Sequence, residues 1–270
     1  MCQRLTVDKS RRLAKGDRIM RRLRAISVVV SVAATALLAA AGGSWAEDTL
    51  SAKLHPSGMV TVTKGDVELA TIELNAHGPQ WKHAPQTDAV AEVSDLPDKT
   101  GKRFVGTLAI PNTDGGSLRF TESVKTLARG LQLEYDVEVL KAMKLDGLQF
   151  SVGLPAAQYA GKQLTITSPG EDGDPQVVTL PQEQQKETFQ LWAGEGAKIE
   201  VAKASDEAVT IQVRAPADIV VQDLRHWENP TFEVRLPAIM EEPGRDVTAG
   251  DKFHLDLTVT FPAPVKLEGP

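Results

Sequence analysis

Two short segments of this 270-residue chain place aromatic rings among polar, turn-forming residues, where a ring can meet a ligand. They are His77-Gly78-Pro79-Gln80-Trp81-Lys82-His83 and Arg225-His226-Trp227-Glu228-Asn229-Pro230. An indole in such a setting suits the apolar face of a pyranose, with its polar neighbours free to bond hydroxyls. Trp81, Trp227, His226 and Glu228 are therefore the candidate ligand-binding residues. A loop tryptophan that plugs the open end of a β-sandwich is the competing reading. Trp192, in Phe189-Gln190-Leu191-Trp192, and Tyr135, on an apolar strand face, read as core.

Carboxylates come next. Glu134, Asp136 and Glu138 alternate along one strand, and glycoside hydrolysis needs two carboxyl groups flanking one bond. A row of like charges is also what a hydrated strand face matched by basic neighbours looks like. Glu171-Asp172-Gly173-Asp174 is too short for a calcium loop and reads as an acidic turn. His77 and His83 are six residues apart in what reads as a loop, which imposes no shared face, so no metal is expected. Arg225-His226 is the compact pair that a lyase could use. Helical zinc pairs, a serine elbow and a phosphate-cradling glycine loop are all missing from the sequence, and no cofactor is expected.

The front of the chain has its own composition. Residues 1–46 hold nine basic and two acidic side chains, the basic ones ahead of an uncharged run from Ala25 to Ala41, then Ser44-Trp45-Ala46. A basic head, a short apolar stretch and a small-x-small exit describe a secretory signal cleaved near Ala46. An uncleaved anchor is the rival, at the lower limit of a spanning length. Met20 is an alternative start, and the arginine pairs at 11–12 and 21–22 lack the pattern of a twin-arginine signal. Of the chain's 30 basic and 36 acidic groups, residues 47–270 keep 21 and 34, a formal net charge of −13. That balance excludes a nucleic-acid partner, and no stable membrane insertion is expected after cleavage. Cys2 is the sole cysteine and precedes the apolar run, so thiolate zinc sites, thiol nucleophiles and a lipid-modified cysteine at the cleavage point are excluded.

The elements that must position these residues are strands. Leu131, Leu133, Tyr135, Val137 and Val139 alternate with polar residues, as do Phe253, Leu255, Leu257, Val259 and Phe261. Shorter alternations run through Phe150-x-Val152-x-Leu154, Val209-x-Ile211-x-Val213 and Phe232-x-Val234-x-Leu236. Prolines at 111, 155, 181, 237 and 262 mark strand ends. Thr113-Asp114-Gly115-Gly116 joins one hairpin, and strands 130–140 and 146–155 suggest a second around Asp146-Gly147. The polar stretches 75–102, 168–176, 181–187 and 240–251 read as loops. Roughly 13 to 15 strands follow, in the regime of an all-β, large antiparallel β-sandwich of jelly-roll or supersandwich type, as one domain over 47–270.

The segment from about 103 to 262 resembles the large β-sandwich modules of secreted bacterial proteins that act on polysaccharides. The likeness lies in strands closing on Leu-Pro, the Gly130–Pro155 pair, and Ala249-Gly250-Asp251-Lys252-Phe253-His254-Leu255-Asp256-Leu257. It implies a carbohydrate-related role in the cell envelope or outside the cell. The expected protein is thus exported, periplasmic or extracellular, and binds glycan or another envelope component without catalysis. A polysaccharide-acting hydrolase or lyase, and a structural or protein-interaction domain, are the alternatives.

Overall fold

The computed structural model describes residues 49–168 and 174–270; the expected leader and Glu171-Asp172-Gly173 lie outside the described residues. Strands β1 (Leu50–Leu54), β2 (Val60–Lys64), β3 (Val67–Gly78), β4 (Lys82–Pro85) and β5 (Val90–Asp95) come first. β6 (Gly101–Ala109), β7 (Ser117–Leu127), β8 (Gly130–Val139) and β9 (Met143–Pro155) form the middle, followed by β10 (Gln163–Thr167) and β11 (Gln176–Thr179). β12 (Gln190–Val201), β13 (Val209–Asp223), β14 (Thr231–Val247), β15 (Lys252–Thr260) and β16 (Val265–Glu268) complete the set. One helical turn, Ala156–Tyr159, and three 3-10 turns at Pro79–Trp81, Gln86–Asp88 and Leu224–Trp227 are the other regular pieces among the described residues. Among the described residues no helix is long and apolar enough to cross a membrane.

The all-β class follows from the alternation, and the strands join in one path: β16-β1-β2-β3-β9-β14-β13-β15-β8-β7-β6-β5. β4 adds to β3, and β12, β10 and β11 branch from β13. Among the described residues pairing is antiparallel except where β1 lies parallel to β16. The path divides into two leaves at β13. Its Thr210–Val213 end pairs with β15, while its Val220–Asp223 end pairs with β14. Between them lie the exposed Arg214, Ala215 and Pro216, and proline cannot donate to a ladder.

The leaves meet through apolar faces. Tyr135 on β8 packs edge-on against Phe150 on β9 at 4.8 Å, a contact worth ~0.5–1.5 kcal/mol beyond its area. Both rings are fully buried in one continuous core. Polar cross-links sit in the same core. Gln86 accepts from the Leu74 amide and the Tyr135 hydroxyl and donates to the Ser57 carbonyl and the Glu122 carboxyl.

The first hairpin is as expected, with Ala109 opposite Ser117 across β6 and β7. The second is not. β8 pairs with β7 and β15, whereas β9 pairs with β3 and β14, so the two strands face each other across the core. β9 is buried on both faces from Leu145 to Val152, which an interior strand requires and the outer β8 does not. The loop expected over 75–102 is also corrected: it holds the end of β3, all of β4 and β5, and the start of β6. Pro237 does not end its strand either. It sits at a register shift, and β14 continues to Val247, a placement open to proline because a bulge needs no donor there.

Candidate functional site

The polar face of β3, β9 and β14 forms the floor of a cleft of about 1010 Å³, at the upper end of the roughly 300–1,000 Å³ usual for small-molecule sites. Alternation builds that floor directly. Ile72, Leu74 and Ala76 point into the core, so Thr71, Glu73, Asn75 and His77 point the other way. On β14, Phe232, Val234 and Leu236 enter the core and turn Glu233 and Arg235 to the cleft. The ladder sets their order: Glu73 lies opposite Ser151, and Ser151 lies opposite Arg235. Glu233 stands one step along, opposite Gly153 and Gln222.

The floor is wired. Ser151 donates to Glu233 Oε1 at 2.6 Å, and Arg235 Nε pairs with Glu233 Oε2 at 2.5 Å. His83 and Asn75 bond through Nε2 and Oδ1 at 2.7 Å, so with the amide oxygen as acceptor Nε2 carries the proton and Nδ1 keeps a lone pair. His77 Nδ1 lies 3.4 Å from the Gln149 amide.

Burial sets the charges. It pushes the Glu73 carboxyl up to about 7; a hydrogen bond from Asn75 opposes this and the nearby Glu233 charge adds to it. His77 is pushed down to about 3, first by burial and then by His83 and Arg235. His83 is also lowered, burial and Arg235 acting against the carboxylates of Glu233 and Asp88. Near neutral pH the floor therefore offers a carboxyl that exchanges its proton readily beside two uncharged imidazoles. Such separated values within one cleft are what acid–base catalysis requires.

The sequence-based candidates fall in different places. Trp81 lines one end of the cleft and Trp227, half-exposed, lines the other. His226 meets Trp227 edge-on at 4.9 Å and lies 5.4 Å from Phe189, outside the cleft lining. Glu228 closes the 3-10 turn in a left-handed conformation and also lies outside the lining. Arg225 is spent on structure: it grips Asp223 and the carbonyls of Pro181 and Gln182. The expectation that His77 and His83 share no face is corrected. They stand opposite each other across the β3–β4 hairpin with rings stacked at 5.0 Å.

Glu134, Asp136 and Glu138 lie on the outer face of β8, away from the cleft. Glu134, Asp136 and His254 bring ligand atoms within 4.8 Å of one another there, all at least partly exposed. The cleft carboxyls Glu73 and Glu233 escaped the sequence reading. Their signal was the polar half of two alternations, Thr71-x-Glu73-x-Asn75-x-His77 and Glu233-x-Arg235.

No protein-family model matches the chain, and no curated protein sequence does. Solved structures that resemble it include a galactose mutarotase-related enzyme from Lactobacillus acidophilus, at 10% identity and a TM-score of 0.43 over 79% of this chain and 97% of that one. A galactose mutarotase-like protein from Lactobacillus casei aligns at 14% identity and 0.46, over 77% and 95%. A glycoside hydrolase family 97 enzyme from a Pseudoalteromonas strain, in complex with acarbose, aligns at 11% and 0.40, over 76% and 32%. The expectation of a protein without catalysis is corrected here. What departs from that expectation is the cleft floor, where a carboxyl raised to about 7 stands beside two imidazoles lowered by burial.

Proposed function

We propose that the protein is a carbohydrate-processing enzyme that works by proton transfer at the floor of this cleft. The observation that carries the reading is Glu73, a carboxyl near pH 7 in a cleft with tryptophans at both ends. Cleaving a glycoside needs a proton delivered to the glycosidic oxygen, and opening a hemiacetal ring needs one delivered to the ring oxygen while the anomeric hydroxyl gives one up. A carboxyl that still holds its proton at neutral pH can deliver it, whereas an ordinary one has lost it.

Glu73 is the general acid in this scheme. The lone pair on His83 Nδ1 can receive a proton from a hydroxyl or a water, and Asn75 links the two by bonding His83 while it bears on Glu73. Glu233, fixed by Ser151 and Arg235, faces the positive charge that develops on the sugar. Export belongs to the same proposal and rests on residues 1–46 alone.

The test is a screen of the purified protein by two readouts on the same sugars: polarimetry on freshly dissolved aldoses, and reducing-end release from neutral oligosaccharides. Turnover in either, lost in Glu73→Gln with the fold intact, supports the reading. Full turnover by the Glu73→Gln variant, or none by the wild type on any sugar, overturns it.

A further inference from the structure

The two tryptophans of the cleft stand far apart along the strands. Trp81 is anchored at the Gly147 end: its ring lies 5.5 Å from that of His77, and a Cβ on Gly147 would come within 3.2 Å of its Cζ3. Trp227 is anchored at the Pro155 end, where its ring meets Phe189 at 4.8 Å. Phe189 accepts from the Asp223 amide, Asp223 lies opposite Phe232, and Thr231 lies opposite Pro155. Gly147 and Pro155 are eight residues apart on β9, roughly 26 Å at about 3.3 Å per residue. That is several times the width of a pyranose ring. Ser151, opposite Glu73, is the midpoint of the interval, four residues from either end.

The Trp81 end is built at a conformational cost. Gln80 and Trp81 adopt φ of 67° and 54°, two successive non-glycine residues in the left-handed region. Gln80 is exposed and Pro79 and Trp81 are only partly buried, so hydrophobic burial offsets no more than part of the strain. The turn is instead held from outside. Asp146 Oδ2 accepts from the Trp81 amide at 2.9 Å, and Asn112 donates to the Pro79 carbonyl at 2.9 Å. Gly78 has no room for a side chain, since a Cβ would stand 2.0 Å from the Pro111 carbonyl oxygen. Asp146 is almost fully buried, and its second oxygen makes no hydrogen bond among the described residues. A buried carboxyl with half its capacity idle, holding a partly exposed strained turn, marks a position kept for contact with something outside the chain.

We infer that the substrate is an oligosaccharide of several rings lying along the strands, with subsites on both sides of Glu73, and that Asp146 is a positioning residue for the Trp81 subsite. This rests on the carbohydrate reading above and adds to it chain length and direction. A single sugar fills the centre and touches neither indole; a longer chain reaches both.

Calorimetric titration with gluco-, xylo-, manno- and chito-oligosaccharides of one to six rings tests it. In the series that binds, affinity rises at least tenfold from one ring to four and then levels off. Trp81→Ala and Trp227→Ala each lower the four-ring affinity several-fold and the one-ring affinity by less. Asp146→Ala behaves like Trp81→Ala and shifts the near-ultraviolet tryptophan signal, and Asp146→Asn, which keeps an acceptor, restores both. Should Asp146→Ala not fold, the two tryptophan variants decide the matter alone. One-ring affinity equal to that of four rings overturns the inference and leaves the enzyme reading standing. Absence of binding in every series overturns both.

Discussion

Two strands of this sheet carry the same polar pattern and lead different lives. β3 presents Thr71, Glu73, Asn75 and His77 at alternate positions, and β8 presents Gln132, Glu134, Asp136 and Glu138. On β8 the row faces water and is matched across its ladders, with Glu138 opposite both Arg119 and Lys252 and Asp136 held 3.0 Å from His254. On β3 the row lies in the concavity of the other leaf, where burial raises the Glu73 carboxyl to about 7 and lowers His77 to about 3. Alternation decides that side chains share a face. Curvature and cover decide whether that face can do chemistry.

The largest expected difference between the rows is in turnover. Glu73→Gln lowers kcat by about two to four orders of magnitude, the usual worth of a positioned proton donor. Glu134→Gln and Asp136→Asn leave kcat within about twofold, and an equal loss from the β8 variants would erase the distinction. Next in size is the pH profile. With Glu73 protonated in the active form, kcat/KM falls about tenfold per pH unit above 7. A profile flat to pH 9 would show that Glu73 is not the donor.

A third carboxyl sharpens the comparison from inside the core. Glu122 is fully buried on the core face of β7, and its pKa is pushed up to about 8 by that burial, against hydrogen bonds with Tyr135 and Gln86. Its folded value lies above the unfolded one of 4.5, so the folded state holds the extra proton and is favoured at low pH. The contribution is complete below pH 4.5 and is lost as pH rises through 8, a few kcal/mol in all. Glu73 acts in the same sense between 4.5 and 7. His77, lowered from 6.5 to about 3, acts in the opposite sense, costing stability as pH falls through that range. Between pH 6.5 and 8 the carboxyls act with little opposition, so the melting temperature falls across that window. Glu122→Gln, which keeps the shape and removes the proton, flattens most of the fall. A variant as steep as the wild type would show that Glu122 does not carry it.

The smallest expected effect belongs to the exposed row. His254→Ala changes stability by about 0.5 kcal/mol or less in thermal melts, since exposed ion pairs contribute little. A loss several times larger would place the β8 face under cover.

The strand content was legible because each strand repeats its own apolar period: Leu131 to Val139 and Phe253 to Phe261 lie where the alternation puts them. The partnership of strands was not, because Gly130-Leu131-Gln132-Leu133 and Gly147-Leu148-Gln149-Phe150 look alike and only burial on the second face separates them. The same limit hid the floor. Asn75 and His77 are polar, flank the small Ala76, and stand close to Gly78-Pro79, so the end of a strand read as a loop. Trp81 and Trp227 were visible as rings among turn residues. Glu233 and Arg235 were passed over because their apolar neighbours drew the pattern and they filled its gaps. What makes those gaps a site is the closure of three strands distant in sequence, which no local window contains.

The parallel pairing of β1 with β16 sets Leu50 beside Val265, so the first and last strands are neighbours. One edge of β1 therefore stays open until the distant β16 reaches it. Contacts of such sequence separation make for slow folding, on the millisecond-to-second scale or beyond.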